Sequence, residues 1–234
     1  FQFQVANFKD RFRCIAYDQR GHGRSEAVTS SYELDAIVND AIALIETLEI
    51  GPVHFVGMST GGFVGLRLAL RRPELVKSLV LMDTSAEAEE KEKLSQYNLL
   101  LKTVNLVGWR PVIGRVMSIL FYEAFREDPE RSAEVKQWRK IITGHSVKAV
   151  SAFGRAIFAR ESIVDQLNQI QVPSVVIVGK HDVATRTTSA QVIADRIPDT
   201  RLRVIADAGH SAVVEKPRAV TEAMRSFYER VGIL

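Results

Sequence analysis

The chain has 234 residues, a formal net charge of +3 and a 46% share of hydrophobic residues. That length suits one α/β domain or a domain carrying an insertion, and the apolar content suffices for a large core, which excludes a disordered chain. A single cysteine, Cys14, excludes an intrachain disulfide; no basic stripe interleaved with aromatics points to nucleic acid, and no apolar run is long enough to cross a bilayer.

Phe1-Gln-Phe-Gln4 lacks the basic and apolar regions of a signal peptide, so a cytoplasmic protein is the default expectation. Arg13-Cys-Ile-Ala-Tyr-Asp18 is a short apolar run ending in Asp and predicts a buried strand, with Cys14 as a core thiol. Gln19-Arg-Gly-His-Gly-Arg-Ser25 follows as a turn. Leu34, Ile37, Val38, Ala41, Ile45 and Leu48 recur at helical spacing, and Gly51-Pro52 closes that helix. Val53-His-Phe-Val-Gly57 predicts the next strand, Phe63 to Arg71 a helix stopped by Pro73, and Ser78-Leu-Val-Leu-Met-Asp83 a third strand. Arg67-Leu-Ala-Leu-Arg71-Arg72 reads as the solvated end of its helix.

This rhythm implies a mostly parallel, doubly wound α/β sheet with crossover helices. It stops near Ala86. Four helical stripes replace it: Leu94, Tyr97, Leu101 and Val104; Val112, Val116, Ile119 and Leu120; Val135, Trp138 and Ile142; Val150, Phe153 and Ile157. Gly108, Pro111, Pro129 and Gly144 separate them. The expected organisation is therefore a core of residues 1–85 and 162–234 with a helical cap over 86–161. The rhythm then resumes with a strand at Val172 to Gly179, a helix carrying Ala190, Ile193, Ala194 and Ile197, a strand at Arg201 to Ala206 and a closing helix through Val220, Met224, Phe227 and Val231.

Gly57-Met-Ser59-Thr-Gly61 fits G-x-S-x-G and falls between a predicted strand and a predicted helix, the context in which such a serine is thrust above the sheet edge. Glycines two residues before and after remove Cβ atoms from so tight a turn. At a helix N-terminus the Thr60 N–H can stabilise an oxyanion. A serine hydroxyl needs a base. His210, in Ala206-Asp-Ala-Gly-His-Ser211 beyond the last strand, is the expected one, with His22 in reserve; His54 lies inside a strand. The acid should follow a different strand near the same edge: Asp182, after Gly179-Lys-His, is the expected residue, and Asp83 the competing one. No H-E-x-x-H, C-x-x-C, G-x-G-x-x-G or Walker pattern occurs, so a mechanism without metal or cofactor is the simplest expectation.

Asp18-Gln-Arg-Gly-His-Gly-Arg-Ser25, Gly57-Met-Ser-Thr-Gly-Gly62, Gly179-Lys-His-Asp182 and Gly209-His210 with Glu215-Lys-Pro217 resemble, in order, the signatures of the α/β-hydrolase superfamily. The similarity is greatest to its cap-bearing branch of small carboxylesterases, enol-lactone hydrolases and cofactor-free perhydrolases. Dehalogenases and epoxide hydrolases of that branch use an aspartate nucleophile, which Ser59 argues against. The resemblance implies a Ser59–His210–Asp182 triad acting on a small-molecule ester or lactone, with the alternatives of a perhydrolase or a slow-turnover ligand receptor on the same fold. Met58, Leu101, Trp109, Phe121, Phe125 and Trp138 are the candidate substrate-binding walls. Two departures stand out. Val183-Ala-Thr-Arg186-Thr187 lacks the proline that often follows the acid, and no His-Gly loop supplying a second oxyanion N–H precedes Asp18. The expectation is that the natural gene encodes a longer chain carrying that loop and at least two more strands.

Overall fold

The structure, a computed structural model, describes all 234 residues. Helix α1 (Gln2–Phe8) and α2 (Leu34–Thr47) precede strand β1 (Val53–Met58), which passes into α3 (Thr60–Arg71) and then β2 (Val76–Met82). Five helices follow: α4 (Lys91–Val107), α5 (Ile113–Leu120), α6 (Glu123–Arg126), α7 (Ser132–Gly144) and α8 (Val147–Phe158). The chain returns through β3 (Ser174–Gly179), α9 (Thr187–Arg196), β4 (Thr200–Ile205), α10 (Ala212–Glu215) and α11 (Pro217–Arg230). The four strands lie side by side in chain order and every neighbouring pair is parallel.

The sheet is buried on both faces, so its central strands are continuous apolar runs rather than alternating ones. Side chains still alternate in direction. Leu79 and Leu81 of β2, with Val176 and Val178 of β3, meet Leu66 and Leu68 of α3 and Ala190 and Ile193 of α9. Val80 and Met82, with Val175 and Ile177, meet Val220, Met224 and Phe227 of α11 on the opposite face. Helix α2 buries Leu34, Ile37, Val38 and Ala41 outside α3, against Phe63 and Val64. Helix α1, which no sequence pattern announced, is fastened to α11 by Phe8 against Tyr228 (ring centroids 5.5 Å apart) and by Gln4 Nε2 donating to Thr221 Oγ1 at 3.3 Å.

Helices α4 to α8 leave and re-enter the sheet layer at one point, where Ile163 N donates to Ala86 O at 2.9 Å. They carry a small core of their own from Ile113, Met117, Phe121 and Phe125.

Three expectations fail here. Residues 13–18 form no strand, because a strand needs a neighbour to complete its ladder and none stands beside them; Ile15 and Tyr17 are exposed. Cys14 is consequently exposed and not a core thiol. Arg67 is not solvated: it is buried, donates to Phe63 O and Glu161 O, and burial, followed by the charge of Arg160, pushes its pKa down to about 10.

Leu81 is fully buried between α3 and α9. Leu81→Ala is expected to lower unfolding free energy by about 2–5 kcal/mol in urea titrations, through lost burial and the cavity left behind.

Candidate active site

In a parallel sheet every strand points the same way, so the residues after each strand collect at one edge. Ser59 follows β1, Asp83 follows β2, Asp182 lies three residues past β3 and His210 five past β4. Ser59 joins strand to helix in a single residue, with φ 51° and ψ −115°, a conformation costly for a side-chain-bearing residue. The end of β2 holds it: Ser59 N donates to Met82 O at 2.8 Å and Thr84 Oγ1 donates to Ser59 O at 2.8 Å. A Cβ on Gly57 would run into the Gly61 carbonyl, and one on Gly62 into the Thr84 side chain, whereas one on Gly61 would meet nothing. The second glycine that this turn needs is therefore Gly62 rather than Gly61.

His210 Nε2 lies 2.9 Å from Ser59 Oγ, and His210 Nδ1 lies 2.9 Å from Asp182 Oδ2. With the ring proton on Nδ1, the imidazole donates to Asp182 and accepts from the Ser59 hydroxyl. Asp182 is fixed in turn: Oδ1 accepts from Ala184 N (2.8 Å) and Thr185 N (3.0 Å), and Oδ2 accepts from Thr185 Oγ1 (2.7 Å). The loop without a proline is thus tied by Thr185. Burial opposes charge on both partners, but their mutual attraction and hydrogen bonds prevail, so Asp182 sits below the ordinary aspartate pKa and His210 above the ordinary histidine pKa.

Asp83 is not the carboxylate that meets His210 Nδ1. Its Oδ1 accepts from Gly179 N at 2.8 Å and its Oδ2 is buried without a partner. Burial raises its pKa well above the ordinary range; the charge of His210 opposes this and that of Asp182 adds to it. His22 packs on Phe153 and His145, and His54 Nδ1 pairs with Ser78 Oγ, so neither is the partner of Ser59. No group of three or more His, Cys, Asp or Glu side chains comes together as a metal site.

A cavity of about 280 Å³ opens onto Ser59, Thr60, Thr185 and His210 and runs under α4, α5 and α8. Of the candidate walls, Leu101 and Trp109 line it. Phe121 and Phe125 are buried instead in the core of the inserted helices, with Trp138 against them, and Met58 packs on the α11 side of the sheet.

Glu215 carried no role in the sequence pattern. Its Oε1 accepts from Gly209 N (3.0 Å) and Ser211 N (3.2 Å), the residues flanking His210, and its Oε2 accepts from Tyr122 N (2.9 Å) in the inserted helices. One buried carboxylate therefore holds the His210 loop and ties it to the segment above. The available signals were its place in the Glu215-Lys-Pro217 signature and its position as an acid after the apolar Ala212-Val-Val214.

A strained serine turn at the carboxyl edge of a parallel sheet, a histidine after the last strand and an apolar cavity roofed by inserted helices define a class. The chain belongs to the α/β-hydrolase fold family, whose model matches residues 1–217, and it is a hydrolase. It is 30% identical over 234 residues to 3-oxoadipate enol-lactonase 2 of Acinetobacter baylyi, covering 98% of this chain and 84% of that one. Among solved structures it resembles the enol-lactonase from Burkholderia xenovorans LB400 (TM-score 0.89, 26% identity, 97% of this chain and 85% of that one). It also resembles a thermophilic esterase from Thermogutta terrifontis (TM-score 0.88, 27% identity, 98% and 84%).

Glu215→Gln leaves one side-chain oxygen for three N–H donors and is expected to cost about 1–3 kcal/mol in urea unfolding. The Glu215 charge helps to hold the His210 pKa up. Its removal destabilises the imidazolium, so the acid limb of kcat/KM is expected to move to lower pH; an unmoved limb would show that Glu215 acts only on stability.

Proposed function

We propose that this chain hydrolyses carboxylic esters or lactones through an acyl-enzyme on Ser59. The observation that carries the reading is the relay Ser59 Oγ–His210–Asp182, with both links at 2.9 Å, opening onto an apolar cavity. Ser59 Oγ attacks the carbonyl carbon while His210 Nε2 takes its proton. Asp182 keeps the ring proton on Nδ1 and stabilises the imidazolium. The carbonyl oxygen becomes an oxyanion near the N–H of Thr60, which as the first residue of α3 has no intrahelical acceptor. The imidazolium returns its proton to the leaving alkoxide, and the C–O bond breaks. In a lactone that alkoxide stays attached to the acyl group. Water, deprotonated by His210, then releases the acid and restores Ser59. The enol-lactonase and esterase relatives support ester or lactone carbonyls as the target.

Turnover of short p-nitrophenyl esters and of γ- and δ-lactones tests this reading. Ser59→Ala is expected to lower kcat by about 10⁴-fold or more with the circular dichroism spectrum unchanged. Substantial residual turnover in that variant, or a wild-type burst followed by a stall, would defeat the proposal; the stall would point to a receptor.

Because His210 must be neutral to accept a proton and its pKa is raised, kcat/KM is expected to fall as pH drops through a value above the ordinary histidine pKa of about 6.5. Asp182→Asn should reduce kcat by about 10³- to 10⁴-fold through the wrong tautomer. Asp83→Asn, which imitates the neutral acid and keeps an acceptor for Gly179 N, should be mild. The reverse ranking on one substrate would move the acid to Asp83.

A further inference from the structure

Beyond the residues of the relay, the cavity wall is mostly apolar; Thr60, Thr185 and Tyr97 add hydroxyls, and Glu89 and Arg160 add charge. Glu89 and Arg160 line it and form an ion pair of 2.9 Å, with side chains only 10% and 4% exposed. Such a pair, withdrawn from water, is a poor device for stability alone, since apolar residues of equal volume commonly do as well. Its hydrogen bonding is also incomplete. Arg160 Nε donates to Glu87 O (3.0 Å), and Nη1 donates to Glu89 Oε2 and Ile157 O (2.9 Å each). Nη2 donates to no protein atom, and Glu89 Oε1 accepts from none. Neither atom is fully buried, and both residues line the cavity. The guanidinium lies 4.3 Å over the ring of Phe63, which is one turn along α3 from Ser59, and the pair shares its cavity with that serine.

We infer that Glu89 and Arg160 form a polar subsite for a neutral amide group carried by the acyl portion of the substrate. A secondary amide matches the free atoms, its carbonyl oxygen accepting from Arg160 Nη2 and its N–H donating to Glu89 Oε1. An alkyl chain leaves both unmet, which is costly in an apolar enclosure. A carboxylate finds the Arg160 charge already neutralised and meets a second negative charge in Glu89. The next cation, Arg67, does not line the cavity and gives its protons to Phe63 O and Glu161 O. Tyr97 also lines the cavity. Burial, then the charges of Glu89 and Asp182, push its pKa up to about 12, so it remains a protonated donor within electrostatic reach of both the pair and the relay.

This inference rests on the ester or lactone reading, and its test separates the two. Three p-nitrophenyl esters of similar length are compared by kcat/KM, each corrected for spontaneous hydrolysis: hexanoate, the ester of N-acetyl-β-alanine and the half-ester of adipic acid. The amide ester is expected to exceed hexanoate by about tenfold or more, the scale of a hydrogen bond to a charged group, and the half-ester to fall below hexanoate. Glu89→Gln can keep an oxygen toward Arg160 while placing an NH₂ where Oε1 accepted. It should bring the amide-to-alkyl ratio close to one and raise the carboxylate-to-alkyl ratio. A structural role would lower all three substrates together, and that result overturns the inference. So does a wild-type amide-to-alkyl ratio near one with brisk hexanoate turnover, or a preference for the half-ester, and either leaves the esterase reading intact. Failure to turn over any of the three removes both.

Discussion

The backbone at Ser59 is asked to end a strand and start a helix within one residue, and it does so only because the neighbouring strand restrains it. The φ of 51° costs about 1–3 kcal/mol for a residue with a side chain. The hydrogen bonds from Ser59 N to Met82 O and from Thr84 to Ser59 O offset part of that cost. Gly57 lets the turn close on itself and Gly62 lets it approach Thr84. The position of the hydroxyl, and with it the distance to His210, follows from this restraint. Loosening β2 at Met82 would misplace the serine without touching it.

The second constraint is electrostatic. Asp182, Asp83, Glu215 and the Glu89–Arg160 pair are all buried around one cavity edge, where uncompensated charge is expensive. Each is treated differently. Asp182 is held below the ordinary aspartate pKa by His210 and three hydrogen bonds from Ala184 and Thr185, Glu215 accepts from three backbone N–H groups while burial raises its pKa, and Asp83, with one oxygen unpartnered, is pushed toward the neutral acid. Acids of one chemical type thus acquire separate properties from their surroundings alone.

Much of this was legible in the sequence. The strands β2 and β3 announce themselves by the nearly uninterrupted apolar runs that strands buried on both faces write, the edge strand β4 by its shorter alternating run, and the helices α2, α3, α9 and α11 by a 3.6-residue period. Residues 13–18 misled for the same reason: an apolar run records the capacity to form a strand, and only a neighbour makes it one. The stripes of α5 and α7 identified their apolar faces, yet Phe121, Phe125 and Trp138 face each other rather than the cavity. Periodicity tells which side of a helix avoids water and says nothing about which of two dry surroundings it enters. Arg67 looked solvated because charge at a helix end usually is, and its acceptor at Glu161, 94 residues away, arises from tertiary packing. Glu215 was invisible as a tether because its third donor, Tyr122, is remote in sequence.

The single hydrogen bond between Ala86 and Ile163 makes the intervening helices a parenthesis in the chain. The sheet sees only two adjacent ends, so the entropy of closing whatever lies between them varies slowly with its length. The roof over the cavity can therefore be exchanged, lengthened or recomposed while β2 and β3 keep their register, as long as the closure survives and a backbone N–H is still presented to Glu215. Sheet edge and roof are in this way separable: the edge fixes Ser59 and His210, and the parenthesis can drift in composition without reopening the question of how the serine is held.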